Sequence, residues 1–296
     1  MNMKHWIWFL ILIPTMNKAE HYQRYADYIA TQAVSTGFCW MDFLDTMARN
    51  SKRSIPELLL IHLQRPEATD CRTYQEWMES GYRVRRGSIG IAVPDFENPE
   101  KMRYLFDRED TTSTPSAQKA WKLYSDLEDD VVRALEDAFG TTGTKDFRQV
   151  VDHAVNLALD DYWAVHDKEV IGSIMDCMKG WGEYNAKLQF MDAAYFSANY
   201  MILQRCGKHP RYSIYESDFF CVKDFSSPKA MATLGEAVRS VGNQVLDVIE
   251  KAVTEKVRNN SIVAEGEKSP SAFLKPKSTK KKWRLDNGLF DSFDEG

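Results

Sequence analysis

The chain has 296 residues, 44% of them hydrophobic and 27% charged, a composition that supports a packed core and excludes wholesale disorder. A formal net charge of −5 excludes a uniformly basic nucleic-acid coat while leaving room for local basic patches. The five cysteines, Cys39, Cys71, Cys177, Cys206 and Cys221, form no C-x-x-C pair, which argues against a disulfide scaffold and a cysteine zinc site and fits small buried hydrophobes in a reducing cytoplasm.

Residues 4–20 read "KHWIWFLILIPTMNKAE", with nine apolar residues from Trp6 to Pro14. A spanning helix needs about 20, and no small-x-small cleavage pattern follows. Translation is therefore expected to begin at Met16, with a signal or short anchor as the alternatives for residues 1–15. No stable membrane insertion is expected, and the expected location is cytoplasmic.

Residues 18–34 place Ala19, Tyr22, Ala26, Ile29 and Ala33 on one stripe, predicting an amphipathic helix. After a break at Gly37, "GFCWMDFLDTMARN" predicts a second. "SIPELLLIHLQRP" predicts a third, with Pro56 at its start and Pro66 past its end. "TYQEWMESG" has Thr73 and Glu76 at capping-box spacing and Gly81 as a stop. "SGYRVRRGSIGIAVPDF", residues 80–96, reads as strand, tight turn and strand, a hairpin with Ile89, Ile91 and Val93 on its core face. A third strand is predicted at "RYLFD", 103–107.

From Pro115 the pattern turns helical, with helices predicted at 116–139, 145–163, 167–178 and 183–206, an extended link at "ESDFFCVKDFSSP", and a long helix from Pro228 to about Arg258. The predicted class is α+β: a small helix-plus-antiparallel-hairpin module over 17–112, an all-helical module over 115–258, and a tail over 259–296 that its polar composition marks as disordered. Residues 266–284 of that tail hold seven bases against one acid, and the last twelve hold four acids and no base.

Enzyme signatures are missing. There is no H-E-x-x-H, P-loop or G-x-S-x-G elbow. "DDYWAVHDKE" gathers Asp160, Asp161, His166, Asp167 and Glu169, but on a helix Asp160, Asp161 and His166 do not fall on one face. In "PDFENPEK", Glu100 and Lys101 are adjacent, so on a strand they point to opposite faces and do not share a metal. No catalytic residue, metal, cofactor or small-molecule substrate is expected.

The arginine-rich segment offers the strongest chemistry. Arg83, Arg85 and Arg86 precede Gly87, with Arg72, Trp77 and Tyr82 upstream and Lys52 and Arg53 further back. Cations that track a backbone, interleaved with rings that stack on bases, suit single-stranded nucleic acid. Lys280, Lys281, Lys282 and Arg284 of the tail are a second candidate for polyanion contact.

The run "FLDTMARNSKRSIPELLLIHLQRPEATDCRTYQEWMESGYRVRRGSIGIAVPDF" followed by "RYLFDREDT" resembles the N-terminal domain of ArdC-type antirestriction proteins. It resembles still more the front of the large helicase- and methylase-like proteins of Gram-positive conjugative elements. The matching features are "LLI…QRP.AT", the Trp77 helix, "VRRG..GI" and "LFD..DT", and the resemblance extends over roughly 20–258. It implies single-stranded-DNA binding through Arg83, Arg85, Arg86, Gly87 and the Trp77 helix, in an accessory protein of a mobile element that protects transferred DNA. Glu57, in "SIPELLL", departs from the family, which usually has Asn near the start of its third helix; a carboxylate there repels phosphate. The protease, helicase and methylase parts are absent. The alternative reading is a protein-interaction module, in which acidic helices, enriched over 97–139, engage conjugation or host restriction proteins.

Overall fold

In the computed structural model, which describes residues 17–267 except 96, 97, 99, 100, 116, 118 and 119, and side chains as far as Arg258, Asn17 opens the first helix. Its side chain accepts from the Glu20 N–H at 2.9 Å and its own N–H donates to the Glu20 carboxylate at 3.1 Å, a reciprocal cap that satisfies two helix-end donors. Helix α1 (Lys18–Ala33) buries Ala19, Ala26, Ala30 and Ala33, and these small side chains let it lie against α3 (Ile55–Gln64). Helix α2 (Gly37–Arg49) is capped by Thr36, whose hydroxyl accepts from the Cys39 N–H. Gly37 is therefore the first residue of the helix and not a break, and a Cβ there would stand 2.6 Å from the Glu216 carbonyl oxygen.

Two small antiparallel sheets follow. The first orders β1 (Cys71–Thr73), β4 (Met102–Asp107) and β3 (Ile91–Pro94) with β4 central. The second pairs β2 (Tyr82–Val84) with β5 (Thr111–Ser113), Arg83 opposite Thr112. Between β1 and β2, α4 (Tyr74–Glu79) starts on the predicted Thr73–Glu76 capping box. The expected 80–96 hairpin is thus not formed. Its two strands lie in different sheets, and the true hairpin is β3–β4, with Ile91 opposite Leu105. The core alternation holds at Ile91 and Val93 but fails at Ile89, which precedes β3 and is 86% exposed. The open edge of β3 is sealed by a side chain: the Gln64 amide donates to the Ala92 carbonyl at 2.9 Å and accepts from the Ala92 N–H at 3.0 Å.

Helices α5 (Glu128–Phe139), α6 (Phe147–Ile174), α7 (Glu183–Arg205) and α8 (Pro228–Glu267) make up the rest. The helix expected from 116 is not seen among the described residues before Glu128, where a 3-10 turn at Ser125–Leu127 leads into α5. The two helices expected at 145–163 and 167–178 are one, α6. The expected extended link is a pair of 3-10 turns, Glu216–Phe219 and Val222–Asp224, and α8 runs past Arg258 to Glu267.

The packing runs straight across the expected boundary at 112–115. Helix α7 lies against both α2 and α6, and Trp40 of α2 donates its indole N–H to Ser197 of α7 at 2.7 Å, both fully buried. Gly242 brings α8 onto α7 so closely that a Cβ there would fall 2.1 Å from the Met201 methyl. One hydrophobic core therefore draws on both segments. By contacts the chain divides instead into Met1–Lys256 and Val257–Gly296. No helix among the described residues is long and apolar enough to cross a membrane. All five cysteines are free, and Cys71, Cys206 and Cys221 are buried; burial pushes the Cys206 and Cys221 thiols up to about 12.

Candidate nucleic-acid interface

The connection between the two sheets, Arg85–Gly90, carries Arg85 and Arg86, with Arg83 just before it on β2. Its geometry is set by few contacts. The Arg85 N–H donates to the Asp110 carbonyl at 2.8 Å, and the Ser88 N–H to the Arg85 carbonyl at 3.2 Å. The latter closes a turn whose third residue, Gly87, has φ +87°, the left-handed position that such turns reserve for glycine. A Cβ at Gly87 would meet nothing within 4 Å, so the turn projects into solvent. Arg83, Arg85 and Arg86 are all exposed. Arg85 donates to the Glu109 carbonyl. Arg83 and Arg86 have neither an ion pair nor a side-chain hydrogen bond among the described residues.

The turn is held from below by residues that sequence reasoning recognised only as motif letters. Asp110, whose carbonyl receives Arg85, is gripped at its carboxylate by both Arg65 nitrogens, at 2.6 and 3.3 Å. Its carbonyl also accepts from the Ser88 hydroxyl at 3.4 Å. Asp107, almost wholly buried, accepts from the N–H groups of Thr69, Asp70 and Arg108 at 2.8 to 3.1 Å and from the Thr69 hydroxyl at 3.1 Å. A buried carboxylate is tolerated only when saturated in this way. The segments "QRP.AT", "LFD..DT" and "VRRG..GI", separate in sequence, are therefore one hydrogen-bonded assembly with the arginines on its outside.

Most of the other expected contacts are spent on structure. Trp77 is fully buried. Its indole N–H donates to the Phe106 carbonyl at 2.8 Å, the Arg72 guanidinium lies 4.7 Å above its ring, and Tyr82 meets it edge-on at 5.2 Å. Tyr82 is also buried, its hydroxyl accepting from Arg108 at 2.5 Å. Neither ring offers a face to a base, which corrects the expectation of stacking. Arg72 makes a bidentate pair with Asp70 at 2.9 and 2.8 Å, Arg53 one with Glu76 at 3.2 and 2.8 Å, and Lys52 pairs with Asp247 at 2.5 Å. Glu57 faces inward, accepts from the Ser54 N–H and hydroxyl, and pairs with Arg103. It caps a helix, and its charge is taken up by Arg103. Lys280, Lys281, Lys282 and Arg284 lie outside the described residues.

An open cleft of about 410 Å³ adjoins the ribbon β2–β5, lined by Tyr82, Arg108, Thr111, Ser113, Thr114, Pro115 and Ala117. By strand alternation it occupies the Tyr82–Ser113 face, and Arg83 with Thr112 the other, so the free cations stand outside it. Among the described residues no three His, Cys, Asp or Glu side chains come together as a metal site. His166 stacks on Tyr162 and faces Glu169 on its own helix.

No protein-family model, curated protein or solved structure matches the chain. The resemblance to ArdC-type proteins rests on the motifs alone.

Proposed function

We propose that the protein is a non-catalytic single-stranded-DNA-binding accessory protein of a mobile element, and that Arg83, Arg85 and Arg86 are its phosphate grip. One observation carries the reading. Arg53, Arg65, Arg72, Arg103 and Arg108 each have an acidic partner, whereas Arg83 and Arg86 are exposed cations with no acidic partner among the described residues. Leaving charge of one sign unpaired on a rigid turn favours a polyanion through counterion release. The interactions that order the turn are already made within the fold, so little ordering cost falls on binding. The ArdC-type motifs support the same reading, since they build the platform under the turn.

The test is a titration of labelled oligo-dT across about 50 to 200 mM salt. The wild type is expected to bind with an affinity that falls as salt rises. Arg83→Ser with Arg86→Ser is expected to flatten log affinity against log salt by about 1.4, at ~0.7 per lost contact to a single strand. A folded double variant with unchanged affinity and slope removes the grip. Recovery of a host protein without any oligonucleotide binding transfers the function to the acidic helices.

A further inference from the structure

Ile89 is 86% exposed, more than any other large hydrophobic among the described residues. It is not on a loose segment. One residue before it, Ser88 is tied through its N–H to Arg85 and through its hydroxyl to the Asp110 carbonyl. One residue after it, Gly90 is packed so closely that a Cβ would stand 2.9 Å from Tyr104 and 3.2 Å from the Phe106 ring. A β-branched side chain between two such fixed points keeps few rotamers and is held out into water. Close by on the chain is Arg86, a cation with no acidic partner among the described residues. Arg86 is three residues away, so the two Cα atoms lie at most about 11 Å apart, a reach that lets phosphate and base of the same short stretch of strand meet both side chains.

Resting on the reading above, we infer that Ile89 is a wedge: while the arginines hold phosphates, Ile89 enters between neighbouring bases and unstacks them. The chemistry favours a base over other apolar surfaces because the cations around it select a polyanion. It also supplies what that reading otherwise lacks. The buried rings of Trp77 and Tyr82 cannot touch a base, and an apolar side chain inserted between base steps is an established way for a protein to contact nucleobases without stacking on them. Because unpaired or frayed bases cost less to separate than paired ones, the wedge biases the turn toward single strands and duplex ends over intact duplex.

The full-length protein is titrated onto an oligonucleotide carrying 2-aminopurine between adenines, as single strand and as duplex, and the fluorescence gain on unstacking is read beside the affinity. Wild type is expected to raise the fluorescence of the single strand. Ile89→Ser, at an exposed position that leaves the fold intact, is expected to lose at least half of that gain and narrow the preference for single strand severalfold, with its salt slope unchanged. Ile89→Leu is expected to restore both. If Ile89→Ser matches wild type in fluorescence gain and strand preference while Arg83→Ser with Arg86→Ser still weakens binding, the wedge is wrong and the phosphate grip stands. If wild type binds no oligonucleotide, both fall together. Sedimentation with phosphatidylserine vesicles that is abolished by Ile89→Ser, without oligonucleotide binding, overturns the wedge in favour of a lipid surface.

Discussion

Trp77 separates two accounts of this region, because a base-stacking ring and a core ring respond to truncation in opposite ways. The side chain is fully buried, its N–H satisfies the Phe106 carbonyl, and its faces are taken by Arg72 and Tyr82. Trp77→Ala removes the whole ring and is expected to cost about 3–5 kcal/mol through lost burial and the cavity left behind. Against a typical total of about 5–15 kcal/mol, that is a large fraction and brings the variant near the unfolding threshold. Trp77→Phe keeps most of the packing and deletes one hydrogen bond to a carbonyl that the β1–β4 ladder also reaches, at a cost of about 0.5–1.5 kcal/mol. Urea unfolding followed by far-ultraviolet circular dichroism gives both numbers. The midpoint should drop in the order wild type, Trp77→Phe, Trp77→Ala, with the slope against denaturant unchanged. At temperatures where Trp77→Phe remains folded, its affinity for oligo-dT should equal that of wild type. A Trp77→Ala protein with wild-type stability and weakened oligonucleotide binding would refute the argument, because it would mean that the ring leaves the core to meet a base.

Gly87→Ala forces a Cβ into a backbone with φ +87° although nothing crowds it, so the cost is conformational alone. A loss of about 1–2 kcal/mol is expected, measured by thermal unfolding, and an unchanged melting temperature would contradict the turn geometry. Burial alone would raise the Glu76 carboxyl, but the hydrogen bonds from Arg53 and Thr73 outweigh it and hold it below its ordinary value of 4.5. Its folded value therefore lies below its unfolded one. Its contribution is complete above about pH 4.5 and is lost as pH falls through the folded value. Glu76→Gln should flatten the acid limb of stability against pH, and an identical limb in the variant would argue against it. Removal of residues 268–296, which hold seven basic side chains, should weaken oligonucleotide binding at low salt and change little at high salt, since exposed charge is screened within ~8–10 Å at physiological ionic strength. Loss of binding at every salt concentration would place the site in the tail.

Helix starts were the most legible part of the sequence, because a cap is local. Pro56 and the Thr73–Glu76 spacing carry their own explanation and formed as expected. Strand pairing was not legible. β2, at Tyr82, finds β5 at Ser113, and strands of three residues have no periodicity to read. Gly87 suggested a hairpin turn, and it does close a turn, but the N–H of Arg85 is already taken by Asp110, in the 3-10 turn that precedes β5. The site was half legible for a related reason. An arginine beside an aromatic looks the same in sequence whether it decorates a surface or, as with Arg72 over Trp77, lies against a buried ring. The exposed arginines were found because charge without nearby acids is visible in one dimension. Arg65, Asp107 and Asp110 were missed as positioning residues because their partners lie up to 45 residues away. Only the recurrence of their motifs marked them.

The contact between Gln64 and Ala92 is in effect a ruler. Two hydrogen bonds to one residue of β3 forbid helix α3 from sliding along the sheet by even a single position. The residue after Gln64 is Arg65, so the same pin sets where the guanidinium meets Asp110, and Asp110 in turn sets the height of the arginine turn. Strands of three to six residues are poor references for position, whereas a helix whose Leu58, Leu60 and Ile61 are wholly buried is a rigid one. The placement of the exposed arginines is thus measured from a core helix and not from the strands that carry them, and drift at Gln64 would be transmitted to a surface it never touches.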